Sequence, residues 1–110
     1  MVRPRTVSIH EVIQDCINGC TAHNADENKM SFYIYYNVRT HGRRRDCYYY
    51  VKELSLLERS IYNIINDNVD KNTDVFINTI KINFKGRDVQ VNKSPYHYSL
   101  AYYMELLLRR

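Results

Sequence analysis

The sequence predicts an α+β fold: a four-stranded antiparallel sheet made from two β-hairpins, with helices on one face, in the order α-ββ-α-ββ-α. Three observations predict it. Apolar residues recur at helical spacing in three stretches. They recur at every second position in the stretches flanking two turns, Thr40 to Asp46 and Lys85-Gly86. The two kinds of stretch alternate along the chain, a layout that lets helices cover one face of an antiparallel sheet.

Met1 to Arg5 (MVRPR) reads as a loose basic arm. Ser8 followed by Glu11 has the spacing of a capping box, in which hydroxyl and carboxylate each satisfy an unpaired amide at a helix start. Ile9, Val12, Ile13, Cys16, Ile17 and Cys20 then form one helical face, and Gly19 marks where that helix would stop. His23 to Asn28 is a polar loop.

From Met30 the period changes to two. Phe32, Ile34, Tyr36 and Val38 share the inward face of a strand, while Ser31, Tyr33, Tyr35, Asn37 and Arg39 share the other. Thr40 to Asp46, with Gly42 and three arginines, reads as a loop too long for a tight two-residue turn. Cys47 to Val51 returns as the second strand; three successive tyrosines allow either Tyr48 and Tyr50 or Cys47, Tyr49 and Val51 to face inward, and Val51 favours the latter.

Ser55 and Glu58 repeat the capping-box spacing, and Leu57, Ile61, Ile64 and Ile65 make the stripe of a second helix running to about Asn66. Asp67 to Asp74 is a polar loop. After Val75 a second hairpin turns at Lys85-Gly86, which pairs Phe84 with Arg87, Asn83 with Asp88, Ile82 with Val89, Lys81 with Gln90 and Ile80 with Val91; apolar meets apolar on one side, so this register resists slipping. Ser94-Pro95 has the pattern of an N-cap and first helical position. A last helix follows with the stripe Leu100, Ala101, Met104, Leu107, Leu108, ending on Arg109 and Arg110. The segments 30–66 and 75–110 thus share a hairpin-helix layout.

A chain of 110 residues reads as one domain, 1–110, large enough to bury roughly two-thirds of its unfolded surface. Three cysteines cannot all pair within one chain, and no apolar run resembles a signal peptide or reaches the ~18 residues of a membrane span. An intracellular setting, cytoplasmic or nuclear, with free thiols and no membrane association is expected. Abundant Asn, Ile and Tyr with scarce Gly and Pro fit an AT-rich coding genome, as in many viruses.

The net charge of +4 and pI near 9.0 lean toward anionic partners. Ten arginines against six lysines add to this, because guanidinium grips phosphate through a planar fork and stacks on rings. Arg39, His41, Arg43, Arg44 and Arg45 would place positive charge at one hairpin tip, against phosphates or simply keeping a sheet edge soluble. Tyr33, Tyr35, Tyr48 and Tyr50 would form a ring platform on the uncovered face, with Arg39 and Lys81 nearby; stacking of bases on rings and burial against another protein both use such a surface. Lys85, Arg87, Arg3 and Arg5 would lend support.

Cys16, Cys20 and His23, with Cys47, have a spacing that tetrahedral zinc could use, although Cys16 and Cys20 lie on the apolar stripe where small thiols pack. Asp70, Asn72 and Asp74 imitate a calcium loop but lack its glycine and its bidentate acid. No dinucleotide, Walker, kinase or zinc-protease fingerprint is present, and no nucleophile and base are forced together. No cofactor and no enzymatic activity are expected. The chain also departs from the common single-strand RNA sheet modules, which begin with a strand. Two functional expectations remain: a small protein binding RNA or DNA largely without regard to sequence, or a module, viral in type, that pairs with itself or with a host protein through the tyrosine face.

Overall fold

A computed structural model describes residues 6–23 and 29–108, apart from the side chains at 106 and 107. Its elements are α1 (Ile9–Ala22), β1 (Met30–Thr40), β2 (Arg43–Val51), a 3-10 turn (Leu54–Leu56), α2 (Leu57–Asn68), β3 (Thr73–Phe84), β4 (Arg87–Gln90), β5 (Tyr96–Tyr98) and α3 (Leu100–Leu108). The expected α+β order is present. The antiparallel sheet runs β2-β1-β3-β4, and β5 adds to β3 beyond the end of β4. The expected basic arm, all but His23 of the expected polar loop, the side chains of Leu106 and Leu107 and the two terminal arginines lie outside what is described.

The two hairpins meet through β1 and β3, which pair along their whole length, Met30 with Phe84 through Thr40 with Thr73. On the helix side Met30, Phe32, Ile34 and Val38 join Val75, Ile77, Ile80, Ile82 and Phe84 to form the floor of the core. Ile9, Val12, Cys16 and Cys20 of α1 and Leu57, Ile61, Ile64 and Ile65 of α2 close it from above. The helical and two-residue periods therefore name the same core from opposite sides.

One irregularity keeps the apolar residues of β3 inward. Tyr35 pairs with Thr79 and Tyr36 with Ile77, so Asn78 is an extra residue and the inward series passes from Ile77 to Ile80. A bulge at this point absorbs the frame change that the spacing of isoleucines demands.

Beside the bulge, Asn92 stands where the edge strand is interrupted between β4 and β5. Its Oδ1 accepts from the Ile80 N–H at 2.9 Å, and its Nδ2 donates to the carbonyls of Asn78 at 3.0 Å and Ser94 at 2.9 Å. A buried side chain here supplies the bonds that a continuous strand would have made.

Several local expectations are corrected. Thr40 to Asp46 is not a loop: His41 and Gly42 alone form the turn, at φ 50° and 78°, and the three arginines belong to β2. Two positive φ angles are the geometry of the tight turn whose twist matches a hairpin. Gly19 does not end α1. It lies within the helix, where a Cβ would come within 3.1 Å of Ile82 Cδ1, so its role is close approach to the sheet.

Ser8 Oγ does cap α1, accepting from Glu11 N–H at 3.1 Å, but Ser55 does not cap α2, which enters through the 3-10 turn instead. Ser94-Pro95 does not open the last helix. Tyr96 and Tyr98 are fully buried at two-residue spacing, and Tyr96 Oη donates to Asp15 Oδ2 at 2.8 Å, so this stretch pairs as β5; α3 begins after Ser99, whose Oγ accepts from Tyr102 N–H. The register of the second hairpin is as expected, from Phe84–Arg87 to Lys81–Gln90, with the Val91 N–H donating to Ile80.

Replacing Asn92 with Ala leaves the Ile80 amide buried without its acceptor and should cost about 2 to 3 kcal/mol in urea unfolding. Lys93→Ala, at the exposed position next to Asn92, serves as the comparison and should cost far less.

Candidate nucleic-acid interface

Alternation along β1 turns Tyr33, Tyr35, Asn37 and Arg39 away from the helices, and the unshifted β1–β2 register sets Tyr50, Tyr48, Asp46 and Arg44 beside them. On the β3 side the neighbours are Lys81, Thr79, Phe76 and Asp74. The open face is thus sorted: rings toward one end, charged and amide side chains toward the other.

The four tyrosines form a connected group. Ring centroids lie 5.2 Å apart for Tyr33–Tyr50, 6.2 Å for Tyr35–Tyr48 and 6.4 Å for Tyr33–Tyr35. These separations are those of mutually packed rings. The Lys81 ammonium stands 5.4 Å over the Tyr35 ring, within the range where ring quadrupole and cation attract. Tyr35, Tyr48 and Tyr50 remain 38%, 64% and 50% exposed, so the group keeps ring surface accessible to a ligand.

At the other end Arg39 is held in place. Its guanidinium carbon sits 4.2 Å over the Phe76 ring, and its Nε donates to Asn37 Oδ1 at 3.0 Å; Asn37 Nδ2 in turn donates to Asn78 Oδ1 at 2.8 Å. Phe76 stacks on His97 at 4.3 Å with the planes 3° apart, and His97 Nε2 lies 2.8 Å from Asp74 Oδ2. A planar cation clamped on a ring and tied through one nitrogen keeps its two terminal nitrogens free to grip an oxyanion.

Phe76, Asn78 and His97 went unrecognised as part of this face in the sequence, whereas alternation does place Asn37 on it. The helix signal of Ser94-Pro95 puts His97 on a helix rather than on β5, and Phe76 sits beyond the bulge, where counting by two from Ile80 assigns the wrong side.

The expected arginine cluster is only partly assembled. Arg44 faces the rings' side but is bonded to Asp46 Oδ1 at 2.8 Å, an exposed pair. Arg43 and Arg45 lie opposite Thr40 and Val38 and so point to the helix side of the sheet, and His41 occupies the turn. Alternation in a strand forbids three successive side chains from sharing a face. Lys85 and Arg87 are distant as well: they flank the turn at the other end of β3, twelve residues long, roughly 35 Å from the His41 turn. Arg87 is on the helix side, 5.8 Å over the Phe84 ring. Asp46, Asp74 and Asp88 share the open face with Arg39, Arg44 and Lys81, which makes it locally balanced rather than strongly basic.

Cys16 and Cys20 take the packing role, and Cys47 is half-buried outside the core. Cys16 and Cys20 are buried, Cys20 Sγ donates to Met30 Sδ at 3.1 Å, and burial, with Cys20 and Asp15 adding to it, pushes the Cys16 thiol well above its ordinary range. Among the described residues no group of three His, Cys, Asp or Glu side chains could hold a metal ion, and no helix is long and apolar enough to cross a membrane. Compared with known proteins, the chain matches no family model, no curated protein and no solved structure.

Asp46→Asn frees Arg44 from its exposed partner. It should shift unfolding stability by less than about 1 kcal/mol while delaying elution from a heparin column; unchanged elution would show that Arg44 adds nothing to anion affinity.

Proposed function

We propose that this protein binds single-stranded RNA or DNA across the open face of its sheet, with bases stacking on the tyrosines and phosphates held by Arg39 and Lys81. The observation that carries the proposal is the connected group of four rings, three of them over a third exposed, with Lys81 over Tyr35 and Arg39 held over Phe76 farther along the same face. Unpaired bases offer ring faces of the same size and chemistry, and stacking tolerates any sequence. A duplex hides those faces within its own stack.

The balanced charge of this face shapes the proposal. Two anchored cations, with Arg44 and the His41 turn nearby and Arg43 and Arg45 turned to the helix side, give few phosphate contacts, so rings carry most of the affinity. Salt should weaken binding with a logarithmic slope of about −1.5 to −3, at about −0.7 for each of two to four phosphates. Tyr33 and Tyr35 on the central strand, Tyr48 and Tyr50 on the edge strand, Lys81 and Arg39 are the residues assigned to contact; Arg44 and Lys85 have lesser parts, and Arg87, on the helix side, has none.

One further observation favours a protein partner. Tyr49, on the opposite face of the same edge strand, is also 42% exposed, and nucleic acid laid across the open face would not touch it. A second copy of the chain, or a host protein, is the natural occupant for an edge with rings on both faces.

Fluorescence anisotropy with labelled single-stranded RNA, single-stranded DNA and duplex of equal length tests the first reading. Tyr35→Ala and Tyr48→Ala should each weaken single-strand binding about tenfold or more, in line with roughly 1 to 3 kcal/mol per stacked base, and the duplex should bind more weakly than either strand. Tyrosine variants that bind as wild type does would remove the proposal.

A further inference from the structure

The two edges of the sheet are built differently. One edge is broken: β4 has four residues and β5 three, with Asn92, Ser94 and Pro95 between them. The other is β2, nine residues without Gly, Pro or bulge, paired with β1 in an unshifted register and bonded on its outer side to nothing among the described residues. Natural sheets generally blunt such an edge with charged side chains, proline, a bulge or a covering element. In β2 the charges stop at Asp46, and Cys47 to Val51 carries none of these protections.

The sequence of this edge complements itself. β2 reads Arg-Arg-Arg-Asp-Cys-Tyr-Tyr-Tyr-Val, with cations in its first half, rings in its second and Cys47 at its centre. We infer that two copies of the chain pair through β2, antiparallel about a two-fold axis at Cys47, to make one continuous sheet. The inference goes beyond nucleic-acid binding and does not need it.

In that register Arg44 faces Tyr50 of the second copy, Arg45 faces Tyr49, and Asp46 faces the Tyr48 hydroxyl, each pair occurring twice. Directly opposed residues in antiparallel strands share a face, so each guanidinium lies against a ring. Centring one residue earlier would oppose Asp46 to itself, and centring two earlier would oppose Arg45 to itself. In the chosen register the two Arg44 side chains stand six residues apart along the strands, about 20 Å, which exceeds the screening length of about 8 Å at physiological salt.

Backbone geometry agrees. The tight turn at His41-Gly42 makes Thr40 and Arg43 a hydrogen-bonded pair, so by alternation Arg44, Asp46, Tyr48 and Tyr50 aim their amides and carbonyls outward. These are the residues that exchange bonds in the paired edge. The two Cys47 residues then form a non-hydrogen-bonded pair, with Cα atoms about 4.5 Å apart, close enough for a disulfide. An axis perpendicular to the sheet also keeps both tyrosine groups on one side, doubling the platform.

Light scattering on nucleic-acid-free protein tests the pairing, and the cysteine reports its register. The wild type should rise toward a dimer with concentration. Tyr49→Arg, which sets like charges opposite Arg45 twice without touching the open face, should remain a monomer. With diamide as oxidant, the two Cys47 thiols give up two protons and two electrons to it and form one S–S bond, so wild type should yield a cross-linked dimer and Cys47→Ser none. In the Cys47→Ser background, a mixture of Arg45→Cys and Tyr49→Cys chains should cross-link at least several-fold better than either alone. A wild type that stays monomeric, or equal cross-linking from every arrangement, overturns the inference; a dimer that fails to bind nucleic acid supports it and counts against the binding proposal alone.

Discussion

The pairing of β1 with β3 is the constraint on which the rest depends. Among the described strands these are the two with a neighbour on both sides, and together they contribute the floor of the core. Because side chains alternate, the same ladder that buries Phe32, Ile34, Ile80 and Ile82 sends Tyr33, Tyr35, Lys81 and Asn83 to the opposite face. A slip of one residue would exchange the two sets, burying phenols and a lysine while exposing isoleucines. The core and the candidate interface are therefore two consequences of one register.

The bulge at Asn78 protects that register where the sequence changes frame. Without an extra residue, Val75 and Ile77 could not share a face with Ile80 and Ile82. The amides around it serve both sides of the sheet: Asn78 accepts from Asn37 on the open face, and its carbonyl accepts from Asn92 at the broken edge. Arg39 is positioned through Asn37 in turn. A local irregularity needed for packing thus also holds the cation beside the rings.

What was legible in the sequence follows from this. The hairpin around Lys85-Gly86 could be read to the residue because apolar residues oppose apolar ones on one side and polar oppose polar on the other. The His41-Gly42 turn could not: composition suggested a long charged loop, yet φ angles, which composition reflects only loosely, let Arg43 pair directly with Thr40. Consequently the three arginines divide between faces. Ser94-Pro95 carried a helix signal that tertiary burial of Tyr96 and Tyr98 overrode. Gly19 was read as a stop, whereas its absent side chain makes room for Ile82. The tyrosine face was visible from alternation alone; Phe76 and His97 were hidden behind a bulge and an unforeseen short strand.

The most direct test of the central claim is the NMR response of carbon-13-labelled tyrosine rings to a single-stranded oligonucleotide. The account predicts that Tyr33, Tyr35, Tyr48 and Tyr50 shift upfield as bases stack on them, while the buried Tyr96, Tyr98 and Tyr103 hold their positions. Shifts confined to Tyr49 and the helix side, or no ring shifts with oligonucleotide in excess, would contradict it.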